Sequence, residues 1–235
     1  MTVFVKRYPD ESNCAAARAN HTWLESLNSG VRIPRLLAAH SRHLVFEHID
    51  GTPPAVVDLP SIAAVLGKLH SAATPALAEA RLDQEFNTAC GHVIADFVSV
   101  RPTIAAIPEA ATAAATACVS IYKDANLRNF LITNVEVAIV DFDDLTLAPY
   151  GYDLAKLHTS MAMTFGQLDR SVATDALDHY NGALGGTKCA LDDLAVWAEI
   201  NWMLTADYLG RNGYRHPWPT VRPWPAPFAS DRSQP

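Results

Sequence analysis

Apolar positions in the first fifty residues follow two spacings, which predict a small sheet and one helix. A helix is predicted from Ser12 or Asn13 to about Leu27, because the following Asn28-Ser29-Gly30 is a typical stop signal. Short runs rich in β-branched and apolar residues predict strands on either side of it. These strands are expected at residues 3–7, 36–40 and 43–49.

Beyond residue 54 the apolar pattern is mainly helical. The apolar residues from Ile62 to Leu69 recur at the spacing of a helix face. Further helices are predicted at residues 84–100, 109–119, 152–165, 168–183 and 191–211. Gly51-Thr52-Pro53-Pro54 interrupts both patterns. We therefore place there, at residues 51–54, a hinge between a small lobe of residues 1–50 and a larger helical lobe of residues 55–215.

The last twenty residues, 216–235, differ from the rest in composition. They are rich in proline and contain Trp218 and Trp224. Proline removes a backbone donor and fixes φ, so neither a regular helix nor a central strand is expected. The tail either packs over the helical lobe through its two tryptophans or is disordered.

Three polar residues surround a predicted hairpin in the middle of the chain. Asp124 is followed by Asn129, then by an apolar run, a turn at Asn134, a second apolar run and Asp141. Because a hairpin returns the chain on itself, Asn129 and Asp141 are expected side by side. Carboxylate and amide oxygens suit magnesium, and a further carboxylate can accept the proton of an attacking hydroxyl. The pattern predicts a site for phosphoryl transfer.

The same segment resembles the aminoglycoside phosphotransferase family, a kinase-like group that includes choline kinases. The resemblance rests on Tyr122-Lys123-Asp124-Ala125-Asn126-Leu127-Arg128-Asn129, then Val140-Asp141-Phe142-Asp143-Asp144, then Tyr152-Asp153-Leu154-Ala155. It implies an α+β, protein-kinase-like fold of two lobes. The smaller lobe would hold an antiparallel sheet and a helix, and the larger helical lobe would hold the catalytic hairpin.

The resemblance also implies a role for each residue of the site. Asp124 would be the catalytic base, and Asn129 and Asp141 would hold Mg²⁺. Asp143 or Asp144 would approach the metal or the substrate. Tyr122 would support the backbone of the catalytic loop, and Asp153 would fix the loop after Asp141.

The nucleotide would lie between the lobes, and the resemblance implies which residues contact it. Val3-Phe4-Val5-Lys6 resembles the strand whose lysine contacts the phosphates of ATP or another nucleoside triphosphate. The backbone from Glu47 through His48 to Ile49 would read the adenine. Lys123 and Arg128 either add positive charge beside the phosphates or face solvent.

The sequence departs from the family pattern in the small lobe. The helix face expected to point inward, through Ala16, Asn20, Trp23 and Leu27, carries Asn20 where the family has a glutamate that holds the lysine. Only two residues precede the Lys6 strand, and no Gly-x-Gly-x-x-Gly occurs. We therefore expect about three strands in this lobe, and a nucleotide pocket open on the side that a glycine-rich loop covers in kinases.

Composition narrows the function classes. The chain has 235 residues and a formal charge of −7, which disfavours nucleic-acid binding and is compatible with a cationic small substrate. Its four cysteines are widely spaced, so neither a zinc site nor a disulfide framework is expected. No signal segment or apolar run of membrane length is present. A cytoplasmic protein that does not bind membranes is predicted, and its oligomeric state stays open.

The function predicted from the sequence is that of a small-molecule kinase that phosphorylates a hydroxyl group. Two alternatives remain open at this point: a non-catalytic kinase-like protein that binds a ligand or partner, and a magnesium-dependent hydrolase. The acceptor is not identified, because acceptor loops vary on a constant scaffold.

Overall fold

The structure is a computed structural model that describes residues 2–101 and 117–224. Its helices are α1 (Glu11–Ser26), α2 (Leu59–Ala73), α3 (Tyr152–Phe165), α4 (Arg170–Leu184), α5 (Leu191–Thr205) and α6 (Trp218–Val221). Its strands are β1 (Val3–Arg7), β2 (Leu36–Ala39), β3 (His43–Glu47), β4 (Phe86–Asn87), β5 (Val93–Ile94), β6 (Val119–Tyr122), β7 (Phe130–Ile132), β8 (Val137–Ile139) and β9 (Thr146–Pro149).

The first three strands form one antiparallel sheet in the order β1-β3-β2. Lys6 on β1 pairs with Leu44 on β3, and a bulge between Leu36 and Ala38 shifts the register of β2. The predicted three-stranded sheet is confirmed. Phe4 on the edge strand β1 is 53% exposed, so this side of the sheet is open to solvent.

Helix α1 begins two residues earlier than a cap at Ser12 would place it, and three earlier than a cap at Asn13. Its N-cap is Asp10, whose carboxylate accepts a hydrogen bond from the Asn13 backbone N–H at 2.8 Å, rather than Ser12 or Asn13. The predicted inner face was partly wrong, because Ala16 is exposed. The buried face instead carries Cys14, Ala17, Asn20, His21, Trp23 and Leu24.

The two parts of the chain meet where the hinge contacts the hairpin. Thr52 and Ile132 exchange two backbone hydrogen bonds, each 2.9 Å long. A Cβ atom at Gly51 would lie 2.9 Å from the Cβ atom of Leu131, so only glycine allows the hinge to approach this closely. The hairpin is thereby attached to the chain segment that leaves the small sheet.

The larger lobe is built from helices packed around α3. Helix α2 packs closely on α4, since a Cβ atom at Gly67 would lie 2.5 Å from the carbonyl oxygen of Tyr180. The described part of the tail packs on the same lobe. Trp218 is fully buried and donates to Glu199 on α5 at 2.8 Å, and Arg222 pairs with the same carboxylate. Residues 218–221 form a short helix, which the proline content had excluded.

Two other predicted elements differ from the structure. Residues 84–100 do not form a helix but a turn between β4 and β5. The Thr88 hydroxyl bonds both the N–H and the C=O of His92, and Gly91 takes a positive φ of 80°. These turn contacts replace helical hydrogen bonds. The helix predicted at 191–211 ends at Thr205 and continues as a 3₁₀ turn. Most of the helix predicted at 109–119 lies outside the described residues.

Within the described ranges, no helix combines the length and the apolar character needed to cross a bilayer.

Candidate active site

The predicted catalytic loop, residues 123–129, follows strand β6 and is held by one buried carboxylate. Asp153, fully buried at the start of α3, accepts hydrogen bonds from the backbone N–H groups of Lys123 and Ala125 at 3.0 and 3.1 Å. The Nε2 atom of His70 lies 3.3 Å from the same carboxylate. Asp153 was predicted to fix the loop after Asp141, but its hydrogen bonds go instead to the loop that contains Asp124.

The side chain of Asp124 lines a cavity and accepts one side-chain hydrogen bond. The Tyr122 hydroxyl donates to Asp124 Oδ1 at 2.9 Å, and Lys156 Nζ lies 3.9 Å from the same oxygen. Tyr122 therefore supports the carboxylate and not, as predicted, the loop backbone. Burial, with the nearby charge of Asp124, raises the pKa of the Tyr122 phenol, so it remains a hydrogen-bond donor.

The hairpin brings Asn129 and Asp141 together as predicted. Strands β7 and β8 pair antiparallel, with Phe130 opposite Ile139, and the N–H of Val140 donates to the carbonyl of Asn129 at 2.9 Å. Asn129 precedes the hairpin, Asp141 follows it, and both line the same cavity.

Asp124 and Asp141 both occupy the left-handed region of backbone space. Their φ angles are 59° and 66°, which only a few per cent of non-glycine residues adopt. Such conformations persist where the surrounding structure fixes them, and they cluster at functional sites. The loop contacts of Asp153 and the hairpin ladder provide that fixation here.

Lys6 contacts two carboxylates at once. Its Nζ atom lies 2.7 Å from Asp141 Oδ1 and 2.7 Å from Asp143 Oδ2. Burial opposes the charge of Lys6, but the hydrogen bonds and charges of the two carboxylates raise its pKa. Burial likewise opposes the charge of Asp141, whose pKa is nevertheless lowered by its hydrogen bond from Lys6. Tyr8, missed by the sequence analysis, donates to Asp143 at 3.1 Å.

The residues present fit a magnesium ion. Asp141 and Asp143 already converge on one cationic group, the Lys6 ammonium. Asn129 commits its Nδ2 to a main-chain carbonyl, which leaves its side-chain oxygen available as a hard ligand. Among residues 2–101 and 117–224, no cluster of three His, Cys, Asp or Glu side chains forms a metal site. The fit to magnesium therefore depends on a set of ligands that combines carboxylate oxygens with the amide oxygen of Asn129.

Asn20 occupies the position at which the family glutamate was expected, but it does not contact Lys6. Its Nδ2 atom donates to the carbonyls of Phe142 and Asp143 at 3.1 and 2.8 Å. The helix position is therefore used to hold the backbone that follows Asp141. Among the described residues, the carboxylates that hold Lys6 both lie on that backbone segment.

A cavity of about 490 Å³ lies between the small sheet and the hairpin. The predicted nucleotide and metal residues that line it are Lys6, Glu47, His48, Ile49, Arg128, Asn129, Asp141 and Asp143. The side chain of Glu47 pairs with Arg32 and Arg35, which lower its pKa to about 2 against the opposing effect of burial. This carboxylate is thus engaged, and so are the backbone N–H groups of Glu47 and His48, which donate to the carbonyls of Arg35 and Thr2 at 3.0 and 3.3 Å.

A second cavity, of about 390 Å³, lies on the other side of the catalytic loop. Asp124 and Asp144 line it, together with Arg101 and Lys156, which the sequence analysis did not single out. Arg128 lines both cavities. Burial raises the pKa of Asp144, and so do the neighbouring carboxylates, Asp124 first among them.

Lys123 was expected either beside the phosphates or facing solvent, and the structure contradicts both alternatives. Its side chain is fully buried and lines neither cavity. The ammonium lies 5.0 Å from the centre of the Phe130 ring and 5.1 Å from that of Phe142, and it donates to the Val140 carbonyl at 3.1 Å. Burial lowers the pKa of Lys123 to about 8.

Comparison with solved structures shows similarity to small-molecule kinases. The aminoglycoside phosphotransferase APH(3'')-Id from Streptomyces rimosus, solved with ADP and streptomycin, gives a TM-score of 0.55 at 16% identity, over 85% of this chain and 86% of that chain. A choline/ethanolamine kinase family protein from Mesorhizobium loti gives 0.53 at 15% identity, over 86% and 70%. An ethanolamine kinase from Plasmodium vivax gives 0.57 at 14% identity, over 88% and 70%. At such identities the similarity establishes the fold, and it confirms the predicted protein-kinase-like α+β architecture.

No curated protein matches the sequence of the chain. The model of the phosphotransferase enzyme family, APH, matches residues 1–191. This match includes the small sheet, all residues that line the first cavity and the hairpin of β7 and β8. The chain therefore belongs to the phosphotransferase enzyme family.

Proposed function

We propose that this protein is a kinase that transfers the γ-phosphoryl group of a nucleoside triphosphate, such as ATP, to a hydroxyl group of a small molecule. The observation that carries the proposal is the arrangement of the two cavities. The candidate metal ligands Asn129 and Asp141 line one cavity, and the candidate base Asp124 lines the other. Arg128 lies between them.

The first cavity suits the nucleotide. The chain at Ile49 would contact the base and the ammonium of Lys6 would contact the phosphates, since both residues line the cavity. Solved structures with this fold contain ADP or the analogue AMP-PNP, which supports the same assignment. Magnesium held by Asn129 and Asp141 would neutralise charge on the phosphates.

The second cavity suits the acceptor. The Asp124 carboxylate would accept the proton of the acceptor hydroxyl while the hydroxyl oxygen bonds to the γ-phosphorus. The bond between that phosphorus and the bridging oxygen would break, and the diphosphate would leave. The hydrogen bond from the Tyr122 hydroxyl holds the carboxylate in place for this step. Positioning of this kind is the main contribution that a protein makes to phosphoryl transfer.

One observation favours the non-catalytic alternative. Lys6 lies against both Asp141 and Asp143, at the place where the carboxylates would meet a metal. In a protein that binds a ligand without phosphoryl transfer, this ion pair would persist. A magnesium-dependent hydrolase, by contrast, would not need the second cavity.

A binding screen followed by a transfer assay tests the proposal. Magnesium with ATP or AMP-PNP should raise the melting temperature, since ligands that bind the native state stabilise it. A panel of hydroxylated compounds should then stimulate the loss of ATP and yield a phosphorylated product. Binding of nucleotide with no product from any acceptor would support the non-catalytic alternative. Phosphate release that no acceptor stimulates would support the hydrolase.

A further inference from the structure

Two buried cations in the second cavity are not used by the proposed chemistry. Arg101 is 7% exposed and Lys156 is 6% exposed, and both line the cavity beside Asp124. Long cationic side chains are almost never this buried unless an anion pairs with them.

Arg101 is held by aromatic faces and neutral oxygens. Its guanidinium lies 4.7–5.1 Å from the ring centres of Phe97, Tyr122 and Tyr152. It donates to the Phe97 carbonyl at 3.2 Å and to the Thr146 hydroxyl at 3.0 Å. In the two described ranges no carboxylate forms an ion pair with it. A guanidinium has five N–H donors, so donors remain for a ligand in the cavity.

Lys156 projects from α3 toward the same space. Its only carboxylate neighbour within the described ranges is Asp124, with Nζ 3.9 Å from Oδ1, which is beyond hydrogen-bonding distance. Among those residues no acceptor lies within hydrogen-bonding distance of this ammonium. The second cavity therefore presents two cations whose hydrogen-bonding capacity is not filled by residues 2–101 and 117–224.

The charged side chains of the second cavity and their positions indicate which kind of ligand would pair with the two buried cations. Three cationic side chains, Arg101, Arg128 and Lys156, face two carboxylates, Asp124 and Asp144. Arg101 stacks on Tyr122, which bonds Asp124, and Lys156 approaches Asp124 directly. Lys156 thus lies next to the carboxylate that would receive the acceptor hydroxyl, and Arg101 is separated from it by Tyr122 alone.

We propose that the acceptor carries an anionic group, a carboxylate in the simplest case, which Arg101 and Lys156 bind while its hydroxyl reaches Asp124. This inference rests on the proposed kinase function. It assigns to this chain hydroxylated acids rather than polycationic or quaternary-ammonium alcohols. An ammonium group on the acceptor would be repelled by Arg101 and Lys156. With Asp124 assigned to the hydroxyl, Asp144 would be the one carboxylate left to pair with it among the described residues that line the cavity.

Matched pairs of acceptors test the inference by binding, independently of turnover. The probes are D-glycerate against glycerol, D-gluconate against sorbitol, and shikimate against its methyl ester, with ethanolamine and streptomycin as cations. Each is titrated calorimetrically into the protein with Mg²⁺ and AMP-PNP. At least one acid should bind about tenfold to a hundredfold more tightly than its neutral partner, as expected for charge-assisted hydrogen bonds.

The variants Arg101→Met and Lys156→Met should remove this preference while AMP-PNP affinity stays within a few-fold. Arg101→Lys keeps the charge if the methionine variant does not fold, and should retain part of the preference. The exposed Arg81→Met and Lys68→Met serve as controls and should bind like the wild type.

The possible failures are distinguishable. If AMP-PNP with Mg²⁺ does not bind the wild type, the proposed function fails. If it binds, but no acid exceeds its neutral partner, or the preference survives in both methionine variants, the inference about the acceptor is overturned and the kinase proposal stands.

Discussion

The side-chain amide of Asn129 donates a hydrogen bond to the main-chain carbonyl of Asp124 at 2.8 Å. The candidate base and the candidate metal ligand therefore lie at the two ends of one fixed turn, residues 124–129. The turn also contains a 3₁₀ segment, Leu127–Asn129, capped by the side chain of Asn126. Neither functional side chain can move far without the other, which is the rigidity that positioning requires.

Asp124→Asn should abolish most of the phosphoryl transfer. The substitution keeps the shape of the side chain but removes the charge that orients and deprotonates the hydroxyl, which typically contributes about 10²- to 10⁴-fold in rate. Nucleotide affinity should change by no more than a few-fold, because Asp124 does not line the first cavity. Single-turnover transfer and calorimetry measure the two quantities. The exposed Asp178→Asn on α4 is the control, and near-normal transfer by the Asp124 variant would refute the assigned role.

Asp141→Asn should behave differently. It removes the carboxylate that we assign to magnesium, and it also removes an ionic partner of Lys6. Turnover and magnesium-dependent nucleotide binding should both be lost. Calorimetric titration of AMP-PNP with and without Mg²⁺ measures the second effect. A variant that keeps the magnesium dependence would show that Asp141 is not a ligand.

Asn20→Asp should destabilise the loop that follows Asp141. The nearly isosteric carboxylate cannot donate to the carbonyls of Phe142 and Asp143, and two hydrogen bonds at a buried position are lost. Leaving such groups unsatisfied costs about 1–3 kcal/mol. The free energy of unfolding in denaturant should fall by about that amount. Asn134→Asp, at the exposed hairpin turn, is the matched control and should change it little.

Lys123→Met should change how stability depends on pH. Burial lowers the pKa of Lys123 to about 8 from an ordinary value of 10.5. Below pH 8 both folded and unfolded chains carry the proton, and the cost of the buried charge is fully present. Between pH 8 and 10.5 only the unfolded chain keeps the proton, so the free energy of unfolding contributed by this group rises with pH.

The free energy of unfolding of the wild type should therefore rise by about 3 kcal/mol relative to that of the Met variant across this pH range. Each unit of pKa difference contributes about 1.4 kcal/mol. Denaturant unfolding at several pH values between 7 and 10.5 measures the difference. Lys68→Met, on the exposed side of α2, should run parallel to the wild type. A constant difference for the Lys123 variant would mean that the ammonium reaches solvent.

The sequence predicted those parts of the site that depend on local spacing. The hairpin turn alone places Asn129 beside Asp141, since the pairing of two short strands fixes both of their ends. The three-stranded sheet followed from β-branched runs in the same way. These features need no knowledge of distant contacts.

Features that depend on tertiary packing were not predictable from the sequence. Residues 84–100 contain enough apolar residues for a helix, but the side chain of Thr88 and the positive φ of Gly91 stabilise a turn instead. Arg101 and Lys156 line one cavity because α3 packs behind the loop of residues 123–129. Lys123 follows a strand that points it inward, where Phe130 and Phe142 enclose it.

The contact of Lys6 with Asp141 and Asp143 has a consequence for the order in which ligands bind. The ammonium already balances the carboxylates, so binding of the proposed magnesium ion would exchange one cation for another. A triphosphate would draw the ammonium away and leave the carboxylates available. The two ligands would then be coupled, and by thermodynamic reciprocity each would raise the affinity for the other by the same factor. Free magnesium alone would bind weakly, and the protein would respond to the nucleotide–metal complex as a single ligand.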